Sequence, residues 1–305
     1  MILITGAAGK TGKAVLRALA KEGGLVKALV FRSEQIQPVA ELGAKDVLVG
    51  DMRDLDTLKQ AMQGVHSVYH ICPNVHPDEI TIGQKIIAVA AAAGITHFVY
   101  HSVLHPQVEA MPHHWKKMHV EDRLFKSGLP YTILQPATYM QNILANWDNI
   151  DKTGKYILPY AVESRISMVD LEDIAQVAAI VLQEAGPKED RPAHNGATYE
   201  LVGTPAMPQT EVAETLSRHL GRPVIAEQQP IDAWKQSARA SGMGDYQLNT
   251  LVKMFNYYDK YGFSGDSHVL GWLLNRPATS LDAFLARVEE DRSPSAQLIR
   301  RSHSI

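Results

Sequence analysis

The sequence has little of several features that define whole classes of protein. Cysteine occurs once, as Cys72, so an internal disulfide is excluded. The formal net charge is -3 with acids and bases interspersed, so the chain lacks the basic patch that nucleic acid binding requires. It contains no apolar run of roughly 18 residues, as a membrane span needs, and no signal-peptide pattern. We therefore expect a cytoplasmic protein that contacts neither nucleic acid nor a membrane.

Histidine is frequent, with 13 residues, but the spacing typical of metal ligands is missing. His113, His114 and His119 do not form a His-Glu-x-x-His pattern. His66 and His70 flank a predicted strand. We expect no metal site.

Three glycines spaced three residues apart lie near the start of the chain, between a strand pattern and a helix pattern. Residues 2–4 predict a buried parallel strand, and residues 11–22 predict an amphipathic helix. Gly6 would permit the tight turn, Gly9 would let the backbone approach a pyrophosphate, and Gly12 would allow close packing of the helix. The pyrophosphate would lie at the helix N-terminus, where free N–H groups favour an anion. The cofactor-binding residues predicted here are Gly6, Gly9, Lys10, Thr11 and Gly12.

The end of the second predicted strand indicates which dinucleotide binds. The strand covers residues 25–31 and is followed by Arg32 and Ser33, where an NAD enzyme would carry an acid for the ribose 2′-hydroxyl. Arg32 instead offers a guanidinium to a 2′-phosphate, which favours NADP(H). The alternative is a solvated arginine at a strand end. Lys10 either adds positive charge or is a solvated loop residue.

Strand and helix patterns then alternate with short connections, which predicts an α/β protein with a Rossmann-type doubly wound parallel sheet. The later elements are less regular, but Asp170 is a plausible N-cap for a helix over 171–184. Before that point the predicted elements are strand 46–50, helix 54–63, strand 66–72, helix 78–93, strand 96–102, helix 114–127 and strand 130–135. After it they are strand 198–202 and helices 209–220, 231–241 and 245–260, with a polar loop over 187–196.

This order of elements suggests two lobes and a tail. An NADP-binding Rossmann domain would comprise 1–152 plus 165–204, and a smaller, mainly helical substrate lobe would comprise 153–164 plus 205–292. Residues 293–305 would form a frayed tail. A cleft between the lobes is the expected ligand site.

Two strand ends carry further cofactor candidates. Asp51 could accept a hydrogen bond from the adenine amino group, with Met52 against the ring; the alternative is a helix cap, a role that Asp54 fits better. At the end of the next strand, Cys72 and Pro73 should pass the ribose beside the nicotinamide, and Asn74 should reach the substrate pocket. The candidates in this group are Asp51, Met52, Cys72, Pro73 and Asn74.

The fifth predicted strand and the helix after it resemble the short-chain dehydrogenase/reductases. In ordinary members a strand-end serine, here Ser102, precedes a Tyr-x-x-x-Lys motif that supplies a general acid and a ribose-binding lysine. Aligning Lys117 with that lysine puts His113 at the tyrosine position. A His-x-x-x-Lys motif followed by Glu121 resembles the NmrA-like branch of the atypical short-chain dehydrogenase/reductases.

Three other segments resemble the same branch, at 127–136, 167–175 and 275–284. The resemblance covers about residues 1–290. It implies an extended Rossmann fold, a preference for NADP(H), and a family whose members are divided between reductases and redox sensors.

Catalytic roles follow from the resemblance and from the chemistry of the residue types. Lys117 would bind the nicotinamide ribose and stabilise oxyanion charge; the alternative is a solvated lysine paired with Glu121. His113, with an ordinary pKa of about 6.5, could protonate a product; the alternative is a histidine exposed to water. Ser102 would polarise the substrate.

The substrate pocket is predicted from aromatic and methionine residues, which at helical spacing are more often core residues than ligand contacts. Pro136 and Tyr139 leave the sixth strand beside the nicotinamide, so both are cofactor candidates. The pocket candidates are Asn74, Trp115, Tyr139, Met140, Phe255 and Tyr258.

Three functions remain open. The first is an NADPH-dependent reductase that transfers hydride to a small aromatic, quinone-like or conjugated carbonyl acceptor. The second is a non-catalytic NADP(H)-binding redox sensor, which the missing tyrosine fits. The third is the same fold used for oxygenase or isomerase chemistry. A small-molecule substrate is expected, and a homo-oligomer is left open.

Overall fold

The computed structural model describes residues 1–184 and 193–292, and strands alternate with helices there as the sequence predicts. The strands are β1 (Ile2–Ile4), β2 (Val26–Val30), β3 (Ala44–Val49), β4 (Ser67–His70), β5 (His97–His101), β6 (Tyr131–Pro136), β7 (Thr138–Tyr139), β8 (Lys155–Leu158), β9 (Met168–Val169), β10 (Ala197–Leu201) and β11 (Ile225–Gln228). The α-helices are α1 (Lys10–Lys21), α2 (Ile36–Glu41), α3 (Leu55–Ala61), α4 (Glu79–Ala92), α5 (Pro112–Phe125), α6 (Trp147–Thr153), α7 (Leu171–Gln183), α8 (Gln209–Leu220), α9 (Ile231–Ala240), α10 (Asp245–Tyr261), α11 (His268–Leu274) and α12 (Leu281–Arg292). The 3₁₀-helices in this part of the chain are Ser33–Gln35 and Met140–Asn146.

Seven parallel strands form the central sheet, in the order β10-β6-β5-β4-β1-β2-β3. The strand order reverses at β1, which pairs with β2 on one side and with β4 on the other. The carboxyl edge beside such a reversal is where open α/β sheets bind ligands. The predicted Rossmann-type sheet with a helical C-terminal region is confirmed.

The strand pleat divides the core between the two faces of the sheet. Ile2 and Ile4 belong to the apolar cluster on one face, with Val15 of α1, whereas Leu3 belongs to the cluster on the other face, with Ile86 of α4. Successive side chains of a strand point to opposite faces, so a three-residue strand contributes to both clusters. Helices α1 and α7 pack together, as do α4 and α5.

Some predicted boundaries differ from the structure, and several short elements were missed. The helix predicted over 114–127 begins at Pro112, because proline is well suited to the first helical turn, where its missing N–H costs nothing. His113 is therefore inside the helix. Strands β7, β8 and β11 were not predicted; they belong to two-stranded sheets outside the main alternation of strands and helices. The predicted tail over 293–305 and much of the 187–196 loop lie outside the described residues.

The two predicted lobes share one apolar cluster. Ile2 in the sheet and Phe284 in α12 belong to the same cluster, together with Phe255 in α10. Two small parallel sheets, β8 with β11 and β7 with β9, lie beside the main sheet. The division into a nucleotide domain and a substrate lobe stays a prediction.

Asp173 in α7 joins two of the segments on which the family resemblance depends. Its buried carboxylate accepts hydrogen bonds from Arg276 Nη2 at 2.7 Å, from the backbone N of Thr279 at 2.7 Å and from the Thr279 hydroxyl at 2.9 Å. We call this group the Asp173 clasp. It ties the segment after α11 to helix α7.

Within the described residues, no helix combines the length and the apolar character needed to cross a bilayer.

Candidate active site

The glycine turn before α1 is shaped by steric contacts that only glycine satisfies. Gly6 has a φ of +60°. A Cβ atom on Gly12 would lie 2.3 Å from the carbonyl oxygen of Gly6 and 2.7 Å from the Cα of Ala7. Gly9 is the N-cap of α1 and provides no side-chain cap, and the first turn carries no acidic residue. In the part of the chain that the structure describes, the first backbone N–H groups of α1 are therefore left for a ligand, as an anion site requires.

The Arg32 loop is held in place by its backbone. Oε1 of Gln35 accepts hydrogen bonds from the backbone N of Phe31 and the backbone N of Arg32, both at 3.0 Å. Arg32 and Ser33 are exposed beyond the carboxyl end of β2. Both side chains are thus accessible to a ligand at this edge of the sheet.

Asp51 has a partner that the sequence did not suggest. Its carboxylate binds the Arg53 guanidinium, with Oδ2 2.7 Å from Nη2 and Oδ1 3.1 Å from Nε. These hydrogen bonds hold the pKa of Asp51 below its usual value. Asp54 rather than Asp51 caps α3, accepting from the backbone N of Thr57 at 2.8 Å. An adenine contact by Asp51 stays a prediction, and it would have to compete with Arg53. Met52 is half-buried against the core.

Lys117 on α5 points to the carboxyl edge of the sheet and binds Glu79, the first residue of α4. Its Nζ donates to Oε1 of Glu79 at 2.9 Å and to the carbonyl oxygen of His101 at 3.3 Å. Only 16% of the Lys117 side chain and 5% of the Glu79 side chain are exposed, so this is a largely buried ion pair. Pairing of Lys117 with Glu121 along the helix, the alternative considered from the sequence, is not what the structure has.

The Glu79 carboxylate accepts hydrogen bonds from both Lys117 and Tyr100. Tyr100 donates its hydroxyl hydrogen to Oε1 at 3.0 Å. Burial alone would raise the pKa of Glu79, but the charge and hydrogen bond of Lys117, with smaller contributions from His70 and Cys72, outweigh burial, so the pKa lies below its ordinary value. Burial raises the pKa of the Cys72 thiol, which is therefore protonated. Nothing in the sequence near Glu79 marked it as a site residue.

Ser102 is buried and donates its hydroxyl hydrogen to Oε1 of Glu121. Gln135 donates from Nε2 to the two oxygens of the same carboxylate, at 2.9 and 3.1 Å. Burial raises the pKa of Glu121. The substrate-polarising role of Ser102 stays a prediction, and these contacts do not support it.

His113 lies in the first turn of α5 with its ring against His114, at a centroid distance of 4.5 Å. Within residues 1–184 and 193–292 its buried Nδ1 has no hydrogen-bond partner. Burial, with a further contribution from the charge of Lys117, lowers the pKa of His113 to about 4. The expectation of an ordinary pKa near 6.5 is corrected: His113 is a neutral imidazole at pH 7.

A chain of four side chains runs from the core to the first turn of α1. The Tyr69 hydroxyl lies 2.8 Å from Nδ1 of His101, and Nε2 of His101 lies 2.7 Å from the Tyr139 hydroxyl. The Tyr139 hydroxyl lies 3.3 Å from Oγ1 of Thr11. Tyr139 and Thr11, predicted separately as cofactor residues, are thus brought together. His101 was not predicted, although its position at the end of β5 could have indicated it.

The remaining candidates separate into edge residues and core residues. Pro73 and Asn74 are exposed at the carboxyl edge, whereas Pro136 is buried in β6. Trp115 is half-buried with its ring against His119, at a centroid distance of 5.3 Å.

Three of the pocket candidates lie in the core. Met140 is fully buried, and the exposed fraction is only 7% for Phe255 and 4% for Tyr258. Phe255 packs on Trp234 at a centroid distance of 4.8 Å, and Tyr258 packs on Phe263 at 5.2 Å. As placed, these three residues stabilise the core, which is the alternative that helical spacing left open.

Residues 1–290 of the chain match the NmrA-like family. An NAD(P)H azoreductase of Xenophilus azovorans is 29% identical over 288 residues, which cover 93% of this chain and 96% of that protein. Quinone oxidoreductase 2 of Escherichia coli strain K12 is 29% identical over 283 residues, which cover 92% of this chain and 96% of that protein.

Solved structures of this kind share the fold. The Escherichia coli quinone oxidoreductase complexed with NADPH has a TM-score of 0.80 at 28% identity, covering 94% of this chain and 99% of that chain. The Citrobacter sp. triphenylmethane reductase complexed with NADP(H) has a TM-score of 0.78 at 23% identity, with the same coverage. The resemblance predicted from the tyrosine-less helix is confirmed, and the chain belongs to the NmrA-like family.

Proposed function

We propose that this chain is an NADPH-dependent reductase that transfers hydride to a small aromatic, quinone-like or conjugated carbonyl acceptor. The relatives that support this are an NAD(P)H azoreductase and a quinone oxidoreductase. The structural observation that carries it is the position of Lys117, whose ammonium is held at the same edge of the sheet as the uncapped N-terminus of α1.

The cofactor site fits NADP(H) on steric and electrostatic grounds. Glycine at position 12 lets α1 pack tightly against the turn, where a Cβ atom would clash with the Gly6 carbonyl oxygen, and α1 offers its first N–H groups to a pyrophosphate. Arg32, exposed beyond β2, would bind the 2′-phosphate. When bound, the reduced nicotinamide supplies the hydride.

One N–H group of the Lys117 ammonium is available to a ligand. An ammonium has three N–H groups. Among the described residues, Lys117 uses two of them, on Glu79 and on the carbonyl oxygen of His101. The third would bind a hydroxyl of the nicotinamide ribose or the acceptor oxygen that gains negative charge. The buried carboxylate of Glu79 holds the ammonium at that place.

Proton delivery does not require a strong acid at position 113. His113 is neutral at pH 7, so we assign the proton on the reduced acceptor to water. Acceptors whose reduced form is a stabilised oxyanion, such as quinones, suit a site of this kind. The preference for such acceptors over simple ketones is part of the proposal.

The test is a turnover assay that follows loss of NADPH with a panel of quinones, enones, aldehydes and triphenylmethane dyes. We expect turnover with at least one class and its loss in Lys117→Met. Lys126→Met, at the far end of the same helix and paired at the surface with Asp122, is the matched control and should keep full activity. Equal activity in the two variants would contradict the role of Lys117.

A redox sensor is the second candidate, favoured by the neutral histidine at the tyrosine position. Binding of NADP⁺ without turnover on any member of the panel would favour the sensor. A cytoplasmic location and a homo-oligomeric state are further proposals, which cell fractionation and native mass measurement test.

A further inference from the structure

The hydrogen bonds from Tyr69 to Thr11 share one donor-to-acceptor direction, which is set by the buried Tyr69 hydroxyl. Tyr69 is fully buried, and among the described residues the partner of its hydroxyl is Nδ1 of His101. A buried hydroxyl that cannot donate loses a hydrogen bond without compensation by water. Tyr69 therefore donates to Nδ1, and His101 carries its hydrogen on Nε2.

The same reasoning determines which atom donates in each of the other two hydrogen bonds. Because Nε2 of His101 is the donor, the Tyr139 oxygen at 2.7 Å accepts, and the Tyr139 hydrogen is left for Oγ1 of Thr11 at 3.3 Å. Thr11 then accepts from Tyr139, so its own hydrogen is left for another acceptor. The opposite direction would leave the Tyr69 hydroxyl hydrogen in the core with no acceptor.

The donor-to-acceptor direction of these hydrogen bonds does not change near neutral pH. Burial lowers the pKa of His101 to about 3, so the imidazole is neutral and keeps one N–H. The titratable groups that act on it are the Lys117 ammonium at its carbonyl oxygen, the His70 imidazole, and the hydroxyls of Tyr69 and Tyr139. Both tyrosines keep their hydrogens, because burial raises their pKa values.

We propose that Tyr69, His101 and Tyr139 are positioning residues that orient the Thr11 hydroxyl as a hydrogen-bond donor to the pyrophosphate of the cofactor. Thr11 is the second residue of α1, beside the free N–H groups at the helix N-terminus. Each hydroxyl in such a chain becomes a better donor when it accepts a hydrogen bond. The proposal rests on the proposed function, since that function requires NADP(H) in this site.

The test is calorimetric titration of purified full-length variants with NADP⁺ and with adenosine 2′-monophosphate, which lacks the pyrophosphate. We expect Tyr139→Phe to weaken NADP⁺ binding roughly tenfold, as for the loss of a hydrogen bond to a charged group, and Tyr69→Phe to weaken it severalfold. Binding of adenosine 2′-monophosphate should be unchanged in both. Tyr261→Phe, which removes a hydroxyl at an exposed position, is the control.

A double-mutant cycle separates orientation from general damage to the site. In the background of Thr11→Val the Tyr139→Phe change should have no further effect on NADP⁺ affinity. Unchanged NADP⁺ affinity in Tyr139→Phe, or an equal loss with both ligands, would overturn the proposal and leave the reductase intact. If Tyr69→Phe does not fold, Tyr139→Phe decides alone. Failure of the unmodified protein to bind NADP⁺ would overturn the proposed function as well.

Discussion

Oε1 of Glu79 lies 2.9 Å from Nζ of Lys117, which joins the first residue of α4 to the middle of α5 across 38 positions of sequence. Tyr100 of β5 bonds to the same oxygen, so the Glu79 carboxylate has partners on both α5 and β5. The one candidate catalytic ammonium of α5 is therefore held by a residue from another helix. Its position depends on that helix.

Removing the charge of Glu79 should destabilise the protein. In Glu79→Gln the Lys117 ammonium stays largely buried without a counter-charge, which typically costs about 3 kcal/mol or more. Urea unfolding measures the loss. Asp122→Asn, which breaks the exposed pair with Lys126, should cost less than about 1 kcal/mol. Similar small losses of unfolding free energy in the two variants would mean that the buried pair of Glu79 and Lys117 contributes little to stability.

Acid should begin to destabilise the fold well above the range in which carboxylates titrate. Burial lowers the pKa of His70 and His101 to about 3 and that of His97 and His113 to about 4. The unfolded chain takes up protons at these histidines near pH 6.5, whereas the folded chain does not. Stability is thus complete above pH 6.5 and falls as the pH drops toward 4. Unfolding free energies measured across this window check the slope.

A single histidine can be tested for its share of that slope. His97 is the first residue of β5, at the opposite end of the strand from His101, and its ring nitrogen lies 2.9 Å from Oγ1 of Thr132. His97→Gln should reduce the pH slope, and His119→Gln, at an exposed position, should not. An unaltered slope in both variants would show that His97 does not contribute.

Arg32 should decide between NADPH and NADH. Its exposed guanidinium would pair with the 2′-phosphate, so Arg32→Ala should weaken NADPH binding about tenfold or more and leave NADH binding unchanged. Dissociation constants for both nucleotides measure the change. Equal affinities for NADPH and NADH in the unmodified protein would remove the claim. The Arg53→Ala variant tests whether the neighbouring guanidinium, which is paired with Asp51, contributes to the preference for NADPH.

Gly12 should tolerate no side chain. A Cβ atom 2.3 Å from the Gly6 carbonyl oxygen must move α1 away from the turn, so Gly12→Ala should abolish NADPH binding and lower the unfolding free energy. Gly244→Ala is the control, because a Cβ atom there meets none of the described residues within 4 Å. Near-normal NADPH binding by Gly12→Ala would indicate that the turn adjusts.

The features that were predicted correctly depend on local geometry. Gly6 and Gly12 were identifiable because a tight turn between a strand and a helix restricts the residue type at each position. The seven-stranded sheet followed from alternating strand and helix patterns. Asp54 was identified as a helix cap because capping is a contact between neighbours in sequence.

The features that were missed depend on contacts between distant segments. Glu79 meets Lys117 only because β4 and β5 are adjacent in the sheet, so α4 and α5 pack together. Met140 and Phe255 were candidates for the pocket because spacing alone does not distinguish a core face from a cleft face. The low pKa of His113 comes from burial by neighbours that are not adjacent in sequence.

The Asp173 clasp limits how far the chain can be shortened. Helix α7, which carries Asp173, packs against α1, and α1 presents the proposed pyrophosphate site. Arg276 and Thr279 anchor α7 from the far end of the sequence, and neither is among the proposed cofactor residues. A fragment that ends before residue 275 would keep every residue proposed to bind the cofactor. It would lose the bonds of Arg276 and Thr279 to α7, the helix against which α1 and its proposed pyrophosphate site pack.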